Sequence, residues 1–118
     1  VNKKELKEEN INKQPIKINI ETKVAKLPDL INSYNNLPDY SIAMQIANIY
    51  FNKKKYKKSL EWVKKANILK PDDYKNWLLY AKNLVKLGKI SKAKEILIIY
   101  TKTYGNNENI DNYLRSIK

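Results

Sequence analysis

Shifting this 118-residue sequence by 34 positions places like on like. Tyr40 falls on Tyr74, Ile46 on Tyr80, Ala47 on Ala81 and Tyr50 on Leu84. Further on, Tyr56 meets Ile90, Ser59 meets Ala93, Glu61 meets Glu95 and Val63 meets Leu97. Within each copy the apolar residues recur at helical rather than strand spacing. The pattern predicts four helical segments, 39–52, 56–69, 73–87 and 90–104, joined by short polar turns. A fixed period of this length means that one helix pair is copied and stacked. The scarcity of turn formers (two glycines, four prolines) also favours helices over an all-β fold.

The residues that recur have packing roles. Small residues at Ala47, Ser59, Ala81 and Ala93 mark close approaches between paired helices. Tyr50, Trp77, Tyr80 and Leu97 fill the adjoining space, each worth roughly 1.5–3 kcal/mol when buried. Pro71 cannot continue the helix before it, and Asp72-Asp73 can cap the next. Gly88 suits a left-handed turn.

These features resemble the tetratricopeptide repeat (TPR) family, whose pattern runs W-x2-L-G-x2-Y followed by A-x3-F. The second copy reads Trp77, Tyr80, Ala81, Leu84, Gly88, Ala93 and Leu97. The first reads Ala43, Ile46, Ala47, Tyr50, Tyr56, Ser59, Val63, Ala66 and Pro71. It departs from the family at Ala43, where a large residue is usual, and at Lys54, where glycine is preferred. Gly105 replaces the proline of Pro71, and Asp111 and Arg115 break any third full repeat. Related 35-residue RNA-reading repeats fit less well than this period. The resemblance implies an all-α, TPR-like helix-turn-helix solenoid with two repeats, approximately 40–73 and 74–107.

Two repeats are fewer than such an array usually needs, so flanking helices are expected to supply the missing layers. Residues 21–37 carry Val24, Leu27, Leu30, Ile31 and Tyr34 at helical spacing, with Pro28 better placed in a first turn than deeper in the helix. Asn35 to Asp39 reads as a stop and turn. Residues 107–118 carry one apolar stripe, Ile110, Tyr113, Leu114 and Ile117, as a capping helix would. Residues 1–20 read as an extended or flexible arm in which Ile16, Ile18 and Ile20 alternate with polar residues. The arm reads equally as a linker or as a cover for the domain.

In the TPR family the first helix of each repeat lines a concave groove that holds a partner peptide or helix. Carried over residue by residue, the groove comprises Ser41, Met44, Asn48, Phe51 and Asn52, then Lys75, Leu78, Lys82, Val85 and Lys86. Met44, Phe51, Leu78 and Val85 would be its apolar anchors, with amides and lysines around them. The alternative is that these anchors are core, covered by the arm. Met44 and Leu79 occupy positions where carboxylate-clamping members carry lysine and asparagine, so that specificity is not implied. The resemblance implies a scaffold or adaptor that binds a protein partner with acidic flanks. Small modules of this kind often serve bacterial envelope machines such as secretion or pilus assembly. A cytoplasmic site and an envelope site behind a removed anchor both remain open.

The formal charge is +12, and residues 53–102 hold 15 lysines against four acids, a net +11. Lys53, Lys54, Lys55, Lys57 and Lys58 fall in one turn, and Lys89 and Lys92 lie 34 residues after Lys55 and Lys58. Equivalent turns stack on one edge of a solenoid, so that edge is expected to be basic. One reading is a surface for nucleic acid or anionic membrane. The other is composition: the chain is rich in Lys, Asn, Ile and Tyr, which AT-rich genomes favour. Arg115 is the only arginine, and phosphate and base recognition lean on the guanidinium fork. That favours a solvated edge.

Two features suggest surplus apolar surface, Trp62 and the run Ile96-Leu97-Ile98-Ile99-Tyr100. The repeat register makes the run a helix sandwiched between its partner and the cap. Either feature could alternatively serve a partner or self-association. Catalysis has little support: there is no cysteine or histidine, no glycine loop for phosphate and no cofactor motif. Asp72-Asp73 reads as a cap rather than a catalytic pair, and Glu8-Glu9 lies in a charged tail.

Overall fold

The computed structural model describes residues 26–117. The arm, with Ile16, Ile18 and Ile20, and the first residues of the 21–37 helix lie outside the described residues. Six helices follow in chain order. They are α1 (Leu27–Asn36), α2 (Tyr40–Asn52), α3 (Tyr56–Leu69), α4 (Tyr74–Lys86), α5 (Ile90–Tyr104) and α6 (Glu108–Ser116). No strand occurs among the described residues. Each helix packs on the next, while α2 also touches α4 and α4 touches α6. The fold is therefore an all-α helical repeat in which α2, α4 and α6 line up along one side.

The starts of these three helices repeat as strictly as their cores. Asp39, Asp73 and Asn107 are spaced by 34 residues, and each carboxylate or amide oxygen accepts from a backbone N–H of the first turn. Such a cap satisfies one of the N–H groups left unpaired at a helix start. The second helices, α3 and α5, have no side-chain cap and instead follow tight turns. In those turns Lys55 N–H reaches Tyr50 O at 2.9 Å and Lys89 N–H reaches Leu84 O at 2.7 Å. Lys54 N–H and Gly88 N–H likewise bond Phe51 O and Val85 O, both at 2.9 Å. This is the Schellman closure, which requires a left-handed residue just past the helix end. Gly88 takes that conformation at φ 81°, and Lys54 takes it at φ 63°.

The core lies in two adjoining clusters. The first joins Leu30 of α1 to Ala43, Ile46 and Ala47 of α2, Trp62, Val63 and Ala66 of α3, and Leu79 of α4. The second joins Ala81 and Leu84 to Ala93, Leu97, Tyr100 and Ile110. Trp62 is only 8% exposed and meets Tyr34 of α1 edge to face, with ring centres 5.0 Å apart. It is a core residue. At the other end, α6 seats the fully buried Ile110, with Tyr113, Leu114 and Ile117 against the second cluster. The expected sandwiching of the 96–100 run is corrected in part. Leu97 and Tyr100 face inward, but Ile98 and Ile99 are 45% and 44% exposed, because α6 covers only one side of α5.

Buried polar residues hold the junction between the repeats. The Asn83 amide donates to Ser59 Oγ at 2.8 Å and to Leu79 O at 3.1 Å, and Ser59 Oγ donates to Ala47 O at 2.8 Å. Asn76 donates to Lys70 O at 3.0 Å and Asp73 O at 2.7 Å, and accepts from Asn67 at 2.7 Å. Trp77 Nε1 donates to Pro71 O and Tyr100 OH to Asp72 O. All four carbonyls of the 70–73 turn are thereby paired with side chains, which fixes the angle at which α4 leaves α3.

Candidate functional site

The aligned helices α2, α4 and α6 enclose a small cleft of about 230 Å³. Its walls are Met44 and Asn48 of α2, Tyr74, Lys75, Leu78, Leu79 and Lys82 of α4, and Asn109 of α6. Five of the groove residues read from the sequence, Met44, Asn48, Lys75, Leu78 and Lys82, meet here. Phe51, Asn52, Val85 and Lys86 do not line it. Phe51 packs on Tyr56, with ring centres 5.4 Å apart, and Val85 is half-buried on the second core cluster. Asn52 and Lys86 are exposed in the last turns of α2 and α4, and Ser41 is exposed one turn before Met44.

The cleft is apolar at its base and polar at its rim. Met44 and Leu78 are half-buried over Leu79. Asn48 Nδ2 donates to Met44 O at 2.9 Å. Lys75 Nζ stands 3.9 Å from Asp73 and 5.8 Å from the centre of the Tyr74 ring. Lys82 Nζ lies 5.8 Å from the centre of the Tyr113 ring, so α6 orients it. Lys82 is half-buried beside the apolar floor, whereas Lys75 is largely exposed at the rim. At this volume the cleft falls below the ~300–1,000 Å³ of small-molecule sites and suits one or two side chains.

The Asp73 end of the site is electrostatically tuned. Burial works against the Asp73 carboxylate, but Lys75 N–H, the Tyr40 hydroxyl and the Lys75 charge outweigh it, and its pKa is lowered. Tyr40 is pushed up to about 12, mainly by burial and further by the neighbouring Asp73.

The lysines of the basic edge lie elsewhere, at the end of the fold where α2 meets α3 and α4 meets α5. Lys53, Lys54, Lys55, Lys57, Lys58, Lys89 and Lys92 are all exposed. Lys54, Lys55, Lys57 and Lys58 line one depression with Tyr56 and Leu87. Lys57, Lys64 and Lys89 line the next with Leu60, Glu61 and Leu87. The two share Lys57 and Leu87, so the edge is continuous. Lys53 and Lys92 flank it without lining either depression.

Three functional-looking residues escaped the sequence reading. Asn109 forms the third wall of the cleft, and Asn76 and Asn83 tie α4 to α3 and to the turn between them. The position of Asn109, two residues past the cap Asn107, corresponds to Lys75 past Asp73 and was available from the 34-residue register. Among the described residues there is no group of acidic, histidine or cysteine side chains that could hold a metal. No helix among them is long and apolar enough to cross a membrane. No protein-family model matches the chain, and no curated protein matches it either.

Proposed function

We propose that this chain is a TPR-type interaction module that holds a protein segment along α2, α4 and α6. The partner presents a large aliphatic side chain to Met44, Leu78 and Leu79. Acidic residues beside it meet Lys75 and Lys82, and Asn48 and Asn109 receive its polar backbone or side-chain groups. The role is binding, as a scaffold or adaptor, rather than catalysis. The observation that carries this reading is the convergence of five groove residues from two repeats in one cleft. Its size and its lysine rim support a peptide over a cofactor.

A peptide array tests it. Peptides pairing one Leu, Ile or Met with nearby Asp or Glu are expected to bind at moderate salt, and Met44→Ala to weaken them about tenfold. Lys82→Glu is expected to shift the preference from acidic to basic flanks. Peptides selected without regard to charge, or binding untouched by both variants, would overturn the proposal.

A second reading rests on the continuous lysine edge, as a docking surface for nucleic acid or anionic membrane. It calls for affinity that collapses between low and moderate salt as counterions are released. Binding that ignores salt, or that survives reversal of Lys57 and Lys89, counts against it.

A further inference from the structure

The outer side of α5 breaks the repeat at two positions. Ile98 and Ile99 stand where α3 carries Lys64 and Lys65. They lie with Ser91, Lys94, Glu95 and Lys102 along an open depression of about 540 Å³. The equivalent depression on α3 is walled by Leu87 and Lys89 of the following turn. On α5 the six residues that line the depression all belong to that one helix. Ile98 and Ile99 thus form an exposed apolar strip with charges of both signs around it.

We propose that this face joins two copies of the chain about a two-fold axis that crosses α5 between Ile98 and Ile99. An antiparallel pairing on that centre sets Ile98 against Ile99 of the second copy. The same register sets Glu95 level with Lys102 of the second copy, and does so twice. Lys94 comes level with Thr103, so no like charges are directly opposed. A surface that pairs with itself in this way is what an isologous dimer requires. An anionic partner would instead meet Glu95 near the middle of the contact.

The contact is small. Fifteen residues make α5 about 22 Å long. At ~10 Å across, its footprint is roughly 220 Å², well under the ~800 Å² per partner of a standard interface. The dimer is therefore weak and depends on concentration. Each copy carries +12, and this repulsion outweighs two surface ion pairs. Association consequently strengthens as salt shortens the screening length, the opposite of polyanion binding by the lysine edge. The face is separate from the α2–α4–α6 cleft, so the two proposals stand or fall independently.

Sedimentation velocity of the 118-residue chain, from micromolar to millimolar concentration, tests it. The expected result is a reversible monomer–dimer equilibrium that stops at two. Ile98→Lys with Ile99→Lys, which installs the residues of α3, raises the dissociation constant about tenfold or more without moving the thermal melt. Glu95→Lys alone weakens the dimer, and adding Lys102→Glu restores it. A chain that stays monomeric, one that grows beyond two, or a double charge swap that fails to rescue would each overturn the proposal.

Discussion

Lys54 and Gly88 occupy the same position in successive repeats, yet only one of them suits the backbone there. Both are left-handed, at φ 63° and 81°, and both close the same pair of hydrogen bonds. For a residue with a Cβ this conformation costs roughly 1–2 kcal/mol. Glycine escapes that cost but surrenders about 0.5–1 kcal/mol of unfolded-state freedom. Lys54→Gly is therefore expected to stabilise the domain by roughly 0.5–1 kcal/mol. For a domain of this size the melting temperature should rise by about 2–8 °C. Lys54→Ala removes the same charge and leaves the backbone problem, which makes it the control. Gly88→Ala is the reciprocal, and a Cβ there would meet nothing within 4 Å. Its cost, roughly the same 0.5–1 kcal/mol, is thus a backbone effect rather than a clash.

Urea unfolding with unchanged slope gives the free energies directly. The expected order is Lys54→Gly above Lys54→Ala, with Gly88→Ala below the parent chain. If Lys54→Gly is no more stable than Lys54→Ala, charge relief in the lysine run explains the gain, and the Schellman argument fails.

Asn83 is fully buried, and its Oδ1 has no partner. Asn83→Leu is expected to change stability by less than about 1 kcal/mol, because it removes that orphan acceptor while Ser59 keeps its bond to Ala47. Asn83→Ala should cost about 2–4 kcal/mol through lost hydrogen bonds and a cavity; equal losses in urea melts would sink the distinction. The raised pKa of Tyr40 means the folded state prefers the neutral phenol. Its stabilisation should be complete below pH 10 and disappear as pH rises from 10 towards 12, and Tyr40→Phe should flatten that limb of the stability curve. Asp73 has the opposite sign. Its pKa is lowered from 3.8, so its contribution is present above that value and lost as pH falls below it, and Asp73→Asn should blunt the acid limb.

Helix number, turn positions and layer order were legible because they follow from a local code repeated at a fixed interval. The small residues, the breakers and the caps at 39, 73 and 107 each act within a few residues of themselves. The cleft was legible only where all three first helices run side by side. Met44, Asn48, Lys75, Leu78 and Lys82 lie in the stretch that α6 matches. Its nine residues end at Ser116, which corresponds to Lys82 and Asn48. Phe51, Asn52, Val85 and Lys86 lie further on, outside the cleft lining. A resemblance drawn from longer arrays places them in a groove along these helices, beyond the stretch that α6 spans.

Asn76 and Asn83 escaped notice for a different reason. An amphipathic reading assigns asparagine to the solvent side, because a buried amide is costly unless it is paired. Here the line Asn76–Leu79–Asn83 along α4 faces inward and meets polar partners at both ends. At one end lie the carbonyls of the 70–73 turn, and at the other the Ser59 hydroxyl. The Ser59 hydroxyl and the Asn67 amide come from α3, so no window within α4 contains them. Nor does exact repetition supply them, since the residues 34 before Asn76 and Asn83 are Ile42 and Ile49. The polar line belongs to the junction between two non-identical layers. Where identical repeats would need only apolar contact, this chain ties α4 to α3 by hydrogen bonds as well.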